Sequence, residues 1–295
     1  MRVLVTGGTG YLGSTICRVL AARGHEAVPF ARATGGDVRD RAGVSAAARR
    51  VDAIIHSAAL VSIWRRRAAD FDDINVGGLK HVLAAAREHG LTRVVYTSSF
   101  LAQAPRGRST PLRANDYQRT KAEALIVSKR AADAGAPIVT IIPGVIFGPG
   151  LMSEGNLIGR MVADHLAGRL PGLIGPDKIW SFAWVEDVAA AHVDALEHGE
   201  TGAIIEAGGH NLPQCAPFEW LLRTRGTKLP RTLPAWAGTA AGYIELGRAR
   251  LTGRMPLLTP ATVDIFRHDW ALGGTPSRSF NDEMTRLVDD ARLAG

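Results

Sequence analysis

Short apolar runs alternate with longer segments of helical spacing over the first two thirds of the chain. Residues 2–6 (RVLVT) predict a buried strand, residues 7–13 a glycine-rich loop, and residues 14–23 a helix that ends before Gly24. The pattern then repeats, with strands predicted at 26–30, 51–56, 93–98, 138–142 and 203–206 and helices at 41–50, 69–90, 116–134 and 185–198. Such alternation specifies right-handed crossovers and a doubly wound α/β fold with a parallel sheet.

Composition excludes several classes of protein. At 46% hydrophobic and 21% charged residues the chain has ordinary globular usage and can bury a core. Cys17 and Cys215 are too few for a disulfide framework, and no metal site is expected. No apolar stretch approaches the roughly 20 residues that cross a bilayer, and the N-terminus lacks the features of a secretory signal. We therefore expect a cytoplasmic protein with no membrane partner.

The net charge is +7, from 35 basic and 28 acidic residues. A positive surface could meet nucleic acid, but the basic residues are scattered, apart from residues 65–67 and 223–231, and no aromatic platform is interleaved with them. The charge therefore predicts no nucleic-acid partner.

The loop Gly7-Gly-Thr-Gly10-Tyr-Leu-Gly13 lies between a strand and a helix, which is the context that gives a glycine fingerprint meaning. Gly7 permits the tight turn, Gly10 lets the backbone approach a pyrophosphate, and Gly13 permits close packing of helix on strand. The helix N-terminus supplies partial positive charge. These features predict a dinucleotide site.

The tip of the second strand selects the dinucleotide, because an acid there suits a ribose hydroxyl and an arginine suits a 2′-phosphate. The strand ends in Phe30-Ala31-Arg32, which favours NADP(H) over NAD(H), although NAD(H) stays possible. Asp37 is a candidate partner for the adenine amino group, and it could equally cap the following helix.

Tyr117 and Lys121 stand four residues apart and hence one turn apart on one helix face. Lowering a phenol pKa from about 10 to about 7 needs roughly 4 kcal/mol. An ammonium at about 4 Å supplies roughly that amount at an effective dielectric constant near 20, so Lys121 together with an oxidised nicotinamide ring is sufficient in principle. Ser98 and Ser99 end a strand at the carboxyl edge of the sheet, where ligands sit. Either serine could instead cap local backbone.

Together, TGGTGYLG at 6–13, IIHSAA at 54–59, YTSS at 96–99 and YQRTK at 117–121 resemble the extended short-chain dehydrogenases/reductases, the NAD-dependent epimerase/dehydratase superfamily. The resemblance covers residues 1 to about 205 and implies a Rossmann-type fold. It implies a catalytic triad of Ser99, Tyr117 and Lys121, with Ser98 as the alternative serine, and Asn75 holding the geometry through a water. The cofactor-binding residues that the motifs and the resemblance together indicate are Gly7, Thr9, Gly10, Tyr11, Leu12, Gly13, Arg32, Asp37, Val38, Ser57, Ala58, Ala59, Lys121, Pro143 and Val145.

Weaker similarities point to dihydroflavonol reductase-like proteins within this family, and they lie at residues 58–64, 93–100, 233–236 and 252–258. This resemblance implies reduction of a ketone or aldehyde with Tyr117 as acid or base. The alternatives are a nucleotide-sugar epimerase or dehydratase using bound NAD, and a non-catalytic dinucleotide-binding protein. Trp180 and Trp184 stand where epimerases carry an arginine and a histidine, which points to a less charged substrate. Trp180, Phe182 and Trp184 either line its pocket or form core.

After residues 148–150 the alternation fails and Pro, Gly and Trp become frequent. We expect residues 1–148 and 183–209 to form the dinucleotide-binding domain, and residues 149–182 and 210–295 a smaller, mostly helical substrate-binding region. The polar segment 273–295 is expected to pack marginally or to be mobile. The family resemblance further implies a small-molecule carbonyl or alcohol substrate and a possible homodimer through helices 70–90 and 116–134.

Overall fold

The computed structural model describes residues 1–112 and 114–293, and a six-stranded parallel sheet forms its centre. The strands in sheet order are β2 (Glu26–Phe30), β1 (Arg2–Thr6), β3 (Ala53–His56), β4 (Val94–Thr97), β5 (Ile138–Pro143) and β8 (Ile204–Ala207). Because the chain leaves β1 first to one side and later returns on the other, the carboxyl ends of β1 and β3 flank a topological switch point.

Helices cover both faces of this sheet, as βαβ crossovers require. The helices are α1 (Tyr11–Ala22), α2 (Arg41–Ala48), α3 (Ala69–Phe71), α4 (Gly78–Glu88), α5 (Asp116–Asp133), α6 (Leu157–Leu166), α7 (Val185–His198), α8 (Ala216–Arg225), α9 (Ala235–Thr252), α10 (Pro260–Phe266) and α11 (Phe280–Leu293). A π-helical turn, Asp72–Gly77, joins α3 to α4, and short 3₁₀ turns occupy Arg32–Thr34 and Phe100–Ala102. The sequence-based α/β prediction is confirmed, with strand and helix ends shifted by a few residues.

The central strands are apolar on both faces, which is why they read as continuous hydrophobic runs. β3, β4 and β5 are buried along their whole length, between one cluster that includes α1 and α7 and another that includes α2 and α4. The edge strand β8 is partly exposed. Central burial fixes the register of the sheet and so fixes where the strand ends lie.

A second, three-stranded sheet lies outside the parallel sheet and forms part of a second core. β6 (Val145–Phe147) pairs in parallel with β7 (Ile179–Trp184), and β7 pairs antiparallel with β9 (His210–Pro213). Trp180, Phe182 and Trp184 are at most 1% exposed in the core of this region, so the suggestion that they line a pocket is wrong. Alternation along β7 could not tell which face meets the core, because both faces are covered.

The C-terminal segment is the main departure from expectation. In α11 the side chains of Met284, Leu287 and Val288 are fully or almost fully buried in the core of the second region. The expectation of marginal packing for residues 273–295 is therefore wrong for α11, and residues 294–295 lie outside the described residues. Glu283 is buried, its carboxylate makes no hydrogen bond among the described residues, and His210 Nε2 lies 3.5 Å from its Oε2. Loss of solvation raises the pKa of Glu283 to about 8.

Candidate active site

One cleft of about 700 Å³ opens along the carboxyl ends of the parallel strands. Its walls include all of the residues proposed from sequence to bind the cofactor, together with Ser98, Ser99 and Tyr117. Of the residues assigned to catalysis, Asn75 stands behind the wall rather than in it. The glycine fingerprint and the Tyr/Lys pair, which are far apart in sequence, thus meet in one groove.

The glycine loop is shaped as a cradle. Gly7 has φ of 73°, and a Cβ at this position would lie 2.9 Å from the backbone of Ala58. A Cβ at Gly13 would overlap the Gly7 carbonyl, so α1 can approach the loop only without a side chain there. The phenol of Tyr11 donates a hydrogen bond to the carbonyl of Gly148 at 3.0 Å, which ties the loop to the chain beyond β6. The cradle fits a pyrophosphate at the N-terminus of α1.

Two arginines line the end of the cleft beside β2. The side chain of Arg32 is exposed and makes no hydrogen bond or ion pair within the described residues, whereas Arg39 is bound to Asp37 at 2.6 Å. Arg39 was missed in the sequence analysis, although it follows Arg32 by only seven residues. The alternative capping role for Asp37 is wrong, because Asp40 caps α2 by accepting from the amide of Ala42.

The Arg39 guanidinium lowers the pKa of Asp37, first through the side-chain hydrogen bond and further through its charge. Val38 is buried between this loop and Gly78. This end of the cleft therefore presents one carboxylate and two guanidinium groups, a net positive charge suited to a phosphate.

Tyr117 and Lys121 face the middle of the cleft from α5. The Lys121 side chain is 2% exposed, and its ammonium donates to the carbonyl of Thr97 at 2.8 Å while lying 5.2 Å from the centre of the Tyr96 ring. Burial lowers the pKa of Lys121 to about 7. The ammonium is thus positioned by the end of β4 rather than held in solvent.

Tyr117 is half-buried, and loss of solvation raises the pKa of its phenol, while the nearby Ser99 hydroxyl opposes part of the rise. In the protein without a dinucleotide, Lys121 therefore does not offset the loss of solvation around Tyr117. A pKa lowered by Lys121 together with an oxidised nicotinamide ring stays a prediction. A phenol with a raised pKa holds its proton at neutral pH.

The two serines at the end of β4 occupy different surroundings. Ser99 caps the following 3₁₀ turn by accepting from the amide of Leu101 at 3.2 Å, and it lies beside the Tyr117 phenol. The hydroxyl of Ser98 is buried and has no hydrogen-bond partner among the described residues. This geometry favours Ser99 as the serine that works with Tyr117.

Asn75 lies in the π-helical turn and is 2% exposed. Its amide oxygen accepts from the amide of Leu60 at 2.8 Å, and its amide nitrogen donates to the Thr120 hydroxyl at 3.0 Å. The side chain thus joins the loop after β3 directly to α5, next to Lys121. The widened helix turn places the amide between these two segments.

A buried histidine supports the Lys121 contact from behind. His192 in α7 accepts from the Thr97 hydroxyl at 2.7 Å through Nε2, since its Nδ1 donates to the carbonyl of Val188 at 2.7 Å. Burial lowers the pKa of His192 to about 4, so the ring is neutral at pH 7. Sequence reasoning missed this residue, whose signal was a single polar side chain within the apolar pattern of α7.

The far side of the cleft is mostly apolar. Arg65 and Glu154 approach each other at 3.8 Å across it, and both are about one third exposed. The apolar residues around this pair are Leu60, Val61, Phe100, Leu101 and Leu157. A smaller cavity of about 320 Å³ lies on the other side of Phe100 and includes neither the glycine loop nor Tyr117.

Comparison with known proteins identifies the family. The model of the NAD-dependent epimerase/dehydratase family matches residues 3–208, more than half of the chain. The chain belongs to this family. The family prediction from sequence is thereby confirmed, and with it the prediction of an oxidoreductase enzyme that uses a nicotinamide dinucleotide.

Two of three similar relatives are named reductases. Sterol demethylase protein B from Methylococcus capsulatus is 31% identical over 254 residues, covering 78% of this chain and 76% of the relative. The 2-alkyl-3-oxoalkanoate reductase of Stenotrophomonas maltophilia is 32% identical over 228 residues, covering 69% and 67%. A putative dihydroflavonol 4-reductase from Synechocystis is 26% identical over 283 residues, covering 85% and 81%.

Among solved structures, the crystal structure of gox2253 has the same fold, with a TM-score of 0.80 at 24% identity over 99% of this chain and 98% of the other.

Within the described residues, no three His, Cys, Asp or Glu side chains are grouped to hold a metal ion. None of the helices in that part of the chain is long and apolar enough to cross a membrane.

Proposed function

We propose that the protein is an NADP(H)-dependent reductase that converts a ketone or aldehyde of a small, partly apolar substrate into an alcohol. The observation that carries the proposal is that Ser99, Tyr117 and Lys121 converge in the cleft that also contains the glycine cradle. Carbonyl reduction requires a bound dinucleotide and a proton donor that both reach the same carbon–oxygen bond, and this arrangement of side chains supports it.

The dinucleotide, when bound, supplies the hydride for the carbonyl carbon. Its pyrophosphate would lie on the loop from Gly7 to Gly13, and its adenosine phosphate would lie between Arg32 and Arg39. Pro143 and Val145, at the junction of β5 and β6, would flank the nicotinamide end of the groove together with Ser57, Ala58 and Ala59 at the end of β3.

Each catalytic side chain then has a separate task. Ser99 donates to the substrate oxygen and orients it, and Tyr117 transfers its proton to the same oxygen as charge develops there. The raised pKa of Tyr117 keeps that proton in place at neutral pH, which suits the reductive direction. Lys121, which the Thr97 carbonyl holds at the cleft wall, would donate to the nicotinamide ribose, and its protonated form would place positive charge near the phenol.

The substrate half of the cleft supports a ketone over a nucleotide sugar. A nucleotide sugar carries a diphosphate, which needs several cations, and in the described wall of this half only Arg65 is cationic and it faces Glu154. Leu60, Val61, Phe100 and Leu101 provide apolar surface instead. The names of the relatives, which act on a sterol or an alkyl oxoalkanoate, point to the same apolar class.

The decisive test is Tyr117→Phe, which removes the proton donor and leaves the ring. The variant should lose a factor of about 10²–10⁴ in kcat for NADPH oxidation with a panel of apolar ketones and 3-oxo acids. Its Kd for NADPH should stay within threefold of the wild-type value. Equal turnover by both proteins would refute the assignment, and epimerisation of a nucleotide sugar with retained NAD would establish the alternative.

A further inference from the structure

Helix α9 presents an apolar stripe to solvent over its whole length. Trp236, Tyr243, Ile244 and Leu251 are 66–89% exposed, and Leu257, just after the helix, is 84% exposed. With Ala240 and Gly247, the four exposed apolar positions inside the helix follow spacings of three and four residues and so share one face. An exposed row of this kind marks a surface that meets an apolar partner.

The opposite face of α9 explains why the large side chains point outward. Gly238, Gly242 and Ala249 are buried, and a Cβ at Gly242 would lie 2.7 Å from the backbone of Pro260 at the start of α10. The helix therefore packs through its backbone, with no room on that side for a large residue. The inward side is satisfied by small residues, so the outward stripe has no role in holding the fold.

Charge identifies the partner. Arg248 and Arg250 lie on the two edges of the stripe, and Arg254 follows the helix; all three are exposed. Arg248 is bound to Glu245, and the other two side chains make no ion pair within the described part of the chain. A self-contact through this patch would bring like arginines together in a protein of net charge +7. An anionic surface is complementary to them.

We propose that α9 docks in the plane of an anionic lipid bilayer, with the stripe among the acyl chains and the arginines at the headgroups. Trp236 and Tyr243 have the amphipathic rings that favour the interface of a bilayer. This is surface binding, which needs no spanning segment. The proposal departs from the expectation of no membrane partner, which rested on the lack of a segment long enough to cross a bilayer.

The stripe ends beside the rim of the cleft. The hydroxyl of Ser62 contacts the sulfur of Met255 at 3.8 Å, and Arg66 approaches Gly253. The neighbouring residues Leu60, Val61 and Arg65 line the cleft. A bilayer against α9 would thus lie next to the apolar half of the active site. A substrate dissolved in that bilayer could reach the cleft without crossing bulk water.

Vesicle flotation tests the proposal, with phosphatidylcholine vesicles alone or mixed about 7:3 with phosphatidylglycerol at low salt. The protein should bind the anionic vesicles at least about tenfold more tightly than the neutral ones. Ile244→Ser/Leu251→Ser should abolish binding, and Arg250→Gln/Arg254→Gln should weaken binding to anionic vesicles about tenfold or more. The matched controls are Leu166→Ser/Leu222→Ser and Arg41→Gln/Arg49→Gln, which change exposed residues elsewhere and should bind like wild type.

Brominated lipid gives an independent reading, because Trp236 is 76% exposed whereas the other tryptophans are buried or half-buried. Its fluorescence should be quenched by brominated vesicles, and Trp236→Phe should remove that quenching. NADPH binding and thermal unfolding of every variant verify the fold. The proposal is overturned if the wild-type protein binds neither kind of vesicle, or if Ile244→Ser/Leu251→Ser binds as the wild type does. It is also overturned if the wild type is a dimer and this double variant is a monomer.

Discussion

Arg32→Ala gives the sharpest test of the cofactor assignment. A hydrogen bond from a cation to a phosphate contributes about 1.5–3 kcal/mol in net terms, and Arg32 is exposed, so solvent and salt reduce the value towards its lower limit. About 1.4 kcal/mol corresponds to a tenfold change in affinity. We therefore expect the Kd for NADPH to rise about tenfold, with the Kd for NADH unchanged within threefold.

Fluorescence titration of both dinucleotides measures the two constants, and Arg49→Ala, an exposed arginine outside the cleft, is the control. The NADPH effect should shrink as salt rises, because the contact is screened. An equal loss for NADH and NADPH would show that Arg32 acts on the loop and not on the 2′-phosphate. No loss for either would show that the NADP(H) assignment is wrong.

Arg39 should matter for an additional reason. Its removal leaves the Asp37 carboxylate without its ion-pair partner in the same end of the cleft, so Arg39→Ala should weaken NADPH more than Arg32→Ala does. Asp37→Asn introduced into Arg39→Ala should recover part of the affinity, since it removes the uncompensated charge. Failure to recover would mean that Arg39 acts through the phosphate alone.

Two stability predictions follow from burial. Burial lowers the pKa of Lys121 to about 7, whereas its pKa in the unfolded chain is near 10.4. Between these two pH values the unfolded chain binds more protons than the folded protein. Lys121 therefore makes the free energy of unfolding rise with pH, by up to about 1.4 kcal/mol per pH unit. Lys121→Met should flatten that rise between pH 7 and 9 in urea titrations, and an unchanged slope would contradict the burial argument. Leu287→Ala in α11 should lower the free energy of unfolding by about 2–5 kcal/mol, whereas Leu222→Ala, at an exposed position, should lower it by less than about 0.5 kcal/mol. Similar losses for both variants would contradict the burial of Leu287 in the core.

The sheet and the cleft were predictable because their signals are local. A buried parallel strand is apolar on both faces, and β3, β4 and β5 are short runs of that kind. Glycines before α1 and hydroxyls after β4 lie at strand ends, and parallel topology brings strand ends to one edge. The predicted cofactor residues therefore gathered in one cleft without any contact being known beforehand.

The features that sequence reasoning missed depend on tertiary contacts. The π-helical turn contains Asn75, whose amide bonds to both Leu60 and Thr120. These two contacts are tertiary, and local helix propensity does not predict them. The core role of α11 had a readable signal, since Met284, Leu287 and Val288 share a face, but the polar composition of the segment outweighed it. The homodimer through the helices beside the cleft stays a prediction.

Hydrogen bonds between elements help to align the candidate active site. Asn75 joins the loop after β3 to α5, and Tyr11 joins the glycine loop to Gly148 beyond β6. His192 is neutral and holds Thr97, whose carbonyl in turn receives the Lys121 ammonium. Each bond is buried or nearly so, and breaking one would leave a desolvated polar group without a partner. The distance between Tyr117 and a bound dinucleotide therefore depends on residues that touch neither of them.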